Sequence, residues 1–164
     1  MTRRSVPFAV LTAAYLAVVG LITLGPTLWR TRPALGDYDV LSVSTWLDPA
    51  TWSRGISVEF LANILLFVPL GLLLRLAVPR ATWVGAVLLG GAVSVAIEVL
   101  QAFGPRVSDP RDVVANTLGA LVGALIAAVI AGIARGVQRV VRRGHRERVD
   151  RGETRERALT RAAG

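Results

Sequence analysis

The 164-residue chain has no cysteine, no lysine and a single histidine. Without cysteine there is no disulfide, thiolate nucleophile or cysteine-bound metal. His145 lies in an arginine-rich C-terminal stretch, and neither Gly-x-Ser-x-Gly nor His-Glu-x-x-His occurs, so histidine-centred hydrolysis has almost nothing to work with. Charge is also scarce: 18% of residues are charged against 53% apolar, more apolar surface than a soluble domain of this size can hide. All 19 basic residues are arginine, and Ala, Val, Gly and Leu dominate, a usage that points to a GC-rich, bacterial genome.

What is present is a set of long apolar runs. A bilayer's hydrocarbon core, about 30 Å thick, takes about 20 helical residues to cross. Four segments have that length: Val6–Gly25, Phe60–Val78, Ala81–Phe103 and Val113–Ile133. Backbone groups find no water in lipid and the chain is too short for a barrel, so each segment is expected to be a helix. The expectation is an all-α, polytopic protein with four transmembrane helices, comprising a membrane domain over residues 1–134 and an arginine-rich tail over 135–164. The first run follows Arg3 and Arg4 but is long, with no small-x-small cleavage site after it, and is read as a retained helix. Trp29, Trp46 and Trp52 flank the spans on one side and Trp83 on the other, as interfacial aromatics do.

The net charge of +8 has two readings, nucleic acid or membrane. Ten of the arginines follow residue 134, where four acids are interleaved with them, and the membrane accounts for them more simply; no nucleic-acid partner is expected. The N-terminus, the connection holding Arg75 and Arg80, and the tail carry most of the arginine. The connections Pro26–Glu59 and Gly104–Asp112 carry five arginines and six of the eleven acids. By the positive-inside rule both termini face the cytoplasm of a cell membrane and these two connections face outward. The tail continues in helical register, with Arg143–Glu147, Glu147–Arg151 and Glu153–Arg157 four apart. It serves either as a topology anchor or as a lipid-hugging extension.

Polar residues inside spans are expensive and therefore informative. Ser94, Glu98 and Gln101 share one face of the third span. Asp112, Asn116, Gly119 and Gly123 share one face of the fourth, and Glu59 and Asn63 lie at the outer end of the second. Glu98 is roughly 8 Å below Phe103, and Asn63 and Asn116 are each about 5 Å below their outer boundaries. Residues distant in sequence thus reach one level near the outer face. Gly104-Pro105 ends the third helix, Arg106 follows within reach of Glu98, and Asp109-Pro110 reads as a cap with proline at the first helical position.

The candidate ligand-binding set is Asn63, Glu98, Gln101, Arg106, Asp109, Asp112 and Asn116. Simpler roles stand beside it. Asp109 serves equally as a plain cap, Gly119 and Gly123 as a close-approach step between helices, Pro69 as a kink, and Glu98, Gln101 and Asn116 as interhelical glue. A divalent metal at Glu98, Asp109 and Asp112 is opposed by the intervening Arg106; neither metal nor cofactor is expected.

These residues carry a resemblance. Asn63-Ile-Leu-Leu-Phe-Val-Pro-Leu-Gly71, then Glu98-x-x-Gln101, Arg106, Asp109, Asp112, Asn116-Thr-Leu-Gly119 and Gly123, resemble the pattern of the VanZ-like family of bacterial membrane proteins over residues 15–134. The resemblance implies the multi-pass fold and, from the founding member, a link to low-level resistance to the glycopeptide teicoplanin. Three readings follow. First comes an accessory protein binding membrane lipid, a cell-wall precursor or glycopeptide at the outer face, with Arg106 clamping an anion. Second is an enzyme acting on lipid-linked substrates with Glu98 or Asp112 as base. Last is a proton-coupled transporter, disfavoured because Glu98 lies away from the midplane.

Overall fold

A computed structural model of the chain describes residues 6–25, 40–53, 55–78, 82–103 and 108–162, with side chains to residue 145. Every regular element among them is an α-helix: α1 (Val6–Leu24), α2 (Val43–Leu47), α3 (Pro49–Trp52), α4 (Val58–Ala77), α5 (Trp83–Ala102) and α6 (Pro110–Ala162). Helices α1, α4 and α5 and the first part of α6 are long and apolar enough to cross a membrane, so the all-α expectation of four spans is met. Arg106 and Trp29 lie outside the described residues.

The helix ends differ from those expected from hydropathy, and capping supplies the reason. Ser57 accepts the Phe60 N–H at 3.2 Å, starting α4 at Val58 and drawing Glu59 into its first turn. Thr82 accepts the Gly85 N–H at 3.3 Å, so α5 begins at Trp83; Ala81, the start expected from hydropathy, lies outside the described residues. The Asp109 side chain accepts the Arg111 N–H at 2.9 Å, and Pro110 takes the first helical position, where its missing N–H matters least. The fourth helix therefore starts at Pro110 and not at Val113. Hydropathy alone misses that turn because it contains Arg111 and Asp112.

The chain divides into two compact units, Met1–Ala128 and Val129–Gly164. The first holds a core of Val19, Phe67, Leu70, Leu74, Ala86, Ile97, Ala120 and Ala124. Outward-facing Leu21, Leu65 and Leu88 are exposed, as a lipid-facing surface requires. With lipid as apolar as leucine, helices associate by close backbone approach. A Cβ added to Gly71 would land on the Ala120 carbonyl, one at Gly119 on the Ile64 carbonyl, and one at Gly123 on the Val68 carbonyl. The Gly119–Gly123 step is thus the surface on which α6 lies against α4. On the α5 side, a Cβ at Gly90 would meet Ala120.

Pro69 lies inside α4, where it withholds an N–H from the backbone ladder. One turn before it, the Leu66 carbonyl accepts the Tyr15 hydroxyl of α1 at 2.9 Å, which ties α1 to α4 and satisfies the tyrosine. Span hydroxyls of Thr12, Thr23 and Thr117 donate to the carbonyls of Phe8, Val19 and Val113, four residues back, so they impose no polar burden on the lipid.

The second unit is helical from Val129 to Ala162. Nearly all of its described side chains are exposed.

Candidate functional site

The stripe Ser94, Glu98, Gln101 on α5 is buried along its whole length, with Glu98 only 1% exposed. Each member meets a different element. Ser94 accepts from Asn116 Nδ2 of α6 at 2.9 Å. Gln101 Nε2 donates to the Thr23 carbonyl near the end of α1 at 2.8 Å. Glu98 Oε2 accepts the Asp109 backbone N–H at 3.0 Å, and the Ser108 side chain is a second hydrogen-bonding partner. One face of one helix therefore ties together the end of α1, the start of α6 and the middle of the α5–α6 contact.

The seven candidates fare differently. Glu98, Asp109, Gln101 and Asn116 belong to this connected group. Asp112, half-buried on the first turn of α6, is close enough to Glu98 for their charges to interact. Asn63 is half-buried one turn inside α4, outside the hydrogen bonds just described. Arg106 is outside the described residues, as is any contact it makes with Glu98. Among the described residues no group of three or more His, Asp or Glu comes together to hold a metal ion. The two roles weighed for Asp109 coexist: its side chain caps α6 while its N–H anchors Glu98.

Asn116 is the least satisfied member. Its Nδ2 is used by Ser94, but its Oδ1 is buried and has no hydrogen-bond partner among the described residues. A buried polar atom left unmatched is unfavourable by about 1–3 kcal/mol. In a membrane bundle it is a vacant acceptor, one helical turn below Asp112.

Two residues of this region do not stand out in the sequence. Ser108 is 2% exposed, and its hydroxyl accepts the Val40 N–H at 3.3 Å. That bond joins the α5–α6 turn to the segment carrying α2 and α3. Arg111 is 7% exposed; its guanidinium donates to the Gly55 carbonyl and lies 5.6 Å from the centre of the Phe60 ring, within cation–π range. One signal was available for it: a cation in the first turn of a helix opposes the macrodipole, so a role elsewhere is implied.

The α2–α3 segment is held together by its own hydrogen bonds. Trp46 Nε1 donates to the Val40 carbonyl at 2.8 Å, Thr51 Oγ1 to the Thr45 carbonyl at 2.8 Å and Trp52 Nε1 to the Trp46 carbonyl at 3.0 Å. The two indoles pack with centroids 6.4 Å apart. Their N–H groups are thus satisfied within the segment, leaving the ring of Trp52 partly exposed as an amphipathic surface suited to an interface.

A buried carboxylate, a paired serine and asparagine and a glutamine sit at one end of an apolar four-span bundle. Compared with the curated proteins and with the solved structures, the chain matches none. The VanZ/LLP1 family model matches residues 8–131, covering all four spans to near the end of the last. This chain is a multi-pass membrane protein that belongs to the VanZ/LLP1 family.

Proposed function

We propose that this protein binds a polar, amphiphilic component of the cell envelope at the extracytoplasmic end of its bundle, and that it acts as an accessory factor in glycopeptide resistance of the teicoplanin type. The ligand class is a lipid headgroup, a cell-wall precursor or the glycopeptide itself. The observation that carries the reading is the buried pair of Glu98 and Asn116. One is a carboxyl group held by a backbone N–H, the other an amide whose oxygen has no partner among the described residues. An intramembrane carboxylate is a functional feature by default, and a vacant acceptor gives a ligand donor somewhere to bind.

In this reading Arg106 contributes the anion clamp assigned to it by the sequence, and the tryptophan-bearing α2–α3 segment contacts the amphiphile at the interface. Arginine asymmetry supports placing both termini in the cytoplasm of a bacterial cell, with the site outside. The chain has no cysteine, so a single cysteine introduced at Ser53 or at Gly144 reports orientation directly. An impermeant maleimide added to intact cells is expected to label the first and not the second.

The functional test is teicoplanin and vancomycin susceptibility of a sensitive host expressing wild type, Glu98→Gln, Asn116→Ala or Arg106→Ala at matched membrane levels. Protection by wild type alone supports the reading. Equal protection by all four chains rules out the polar site as its cause, and protection by none removes the resistance role.

A further inference from the structure

Helix α6 is longer than a bilayer requires. It runs from Pro110 to Ala162, 53 residues, where crossing a hydrocarbon core of about 30 Å takes about 20. The residues that follow about Ile130 therefore come after the part of α6 that crosses the core. There, Ile133, Val137, Val140 and Val141 remain 58–71% exposed, and Arg135, Arg139, Arg142 and Arg143 are exposed as well. At 3.6 residues per turn, Ile130, Ile133, Val137, Val140 and Val141 fall on one face and the four arginines on the opposite one. No acid occurs between Asp112 and Glu147, so of the four only Arg143 has an acid at helical pairing distance, Glu147 four residues on.

We propose that residues 130–145 form an interfacial helix that binds the anionic phospholipid surface of the bilayer the chain spans. The apolar face settles into the boundary between headgroups and acyl chains. Arg142 and Arg143, on the two flanks of the basic face, reach headgroup phosphates with their flexible stems, while Arg135 and Arg139 add long-range attraction. The Arg135 Nε donates to the Ala131 carbonyl at 3.0 Å, leaving its terminal amino groups for phosphate.

Two other occupants fit less well. Ile130, Ile133, Val137 and Val140 have the spacing of a helix–helix seam, but the next steps fall on Gly144 and Glu147. The seam is then about two heptads, short of the three or four a coiled coil needs. A nucleic acid would engage the arginines but leave the apolar face in water. Only the lipid surface covers both faces, and it adjoins the segment where the chain leaves the hydrocarbon. Gly132, Gly136 and Gly144 have no neighbour within 4 Å of an added Cβ, so packing does not demand them. Glycine weakens a helix interior, and here it leaves the segment compliant enough to follow the surface.

The full chain carrying Val140→Cys, labelled with an environment-sensitive fluorophore, is reconstituted in nanodiscs of phosphatidylcholine alone or with phosphatidylglycerol added. A blue shift is expected with phosphatidylglycerol, lost at high salt and lost when Arg135, Arg139, Arg142 and Arg143 are all changed to Gln. Identical emission in the two lipid compositions overturns the proposal. So does a shift that survives the arginine changes, one that requires two chains per disc, or one reversed by added RNA at constant salt.

Discussion

The Glu98 carboxylate and the Asp109 backbone N–H are joined at 3.0 Å, which links the penultimate turn of α5 to the residue that caps α6. A carboxyl group within a span thus completes the polar junction between two helices, one turn of α5 away from the Ser94–Asn116 hydrogen bond, whose asparagine oxygen has no partner among the described residues. The structural role of Glu98 and the ligand-binding role proposed for it are separable, because the first needs only an acceptor oxygen and the second needs the acid.

Glu98→Gln keeps an acceptor for the Asp109 N–H, whereas Glu98→Ala strands it. In detergent or lipid, Glu98→Gln is expected to unfold close to wild type while losing protection against glycopeptide. Glu98→Ala should lose about 1–3 kcal/mol of stability. Equal destabilisation by both, measured by denaturant titration of the reconstituted chain, contradicts this division of roles.

Glycines in the bundle should answer differently from glycines in the tail. Gly71→Ala, Gly119→Ala and Gly123→Ala each drive a methyl into a neighbouring backbone carbonyl, and each should destabilise by 1–3 kcal/mol or more. Gly132→Ala meets open space and should be neutral or raise helicity by up to about 1 kcal/mol. Thermal unfolding followed by circular dichroism in one detergent compares the four.

Ser94 and Asn116 form one hydrogen bond between α5 and α6. A double-mutant cycle with Ser94→Ala and Asn116→Ala is expected to return a coupling energy of about 0.6–1.7 kcal/mol, the range for interhelical bonds in lipid. A value indistinguishable from zero shows that the pair does not join the helices.

Arg111 holds the start of α4 to the start of α6 through Gly55 and Phe60. Arg111→Lys keeps the charge but loses the planar group that lies over the ring. Amide hydrogen exchange over residues 55–60 should accelerate several-fold, while exchange over residues 64–74 stays as in wild type. Uniform acceleration along α4 means that Arg111 supports the whole bundle and not this junction.

Tyr15→Phe removes the hydroxyl that the Leu66 carbonyl accepts near Pro69. The expected loss is about 1 kcal/mol, read as a lower midpoint of denaturant unfolding. No change implies that the carbonyl finds another donor.

Much of this was legible in one dimension. Four apolar runs must be helices, because lipid offers their backbones no other partner. The stripe Ser94, Glu98, Gln101 and the step Gly119, Gly123 follow from helical periodicity, and both face the bundle interior. The Asp109-Pro110 cap was readable as well, since it depends only on adjacent residues. Which group each polar side chain meets was decided by the tertiary structure. Gln101 meets a carbonyl 78 residues away and Asn116 a serine 22 residues away, while Ser108 and Arg111 became central without belonging to any stripe. Hydropathy, periodicity and capping are properties of a single helix and its neighbours in sequence. The rotation and register of one helix against another are set where Gly71 meets Ala120 and Gly123 meets Val68, and that fit exists only once the helices have packed.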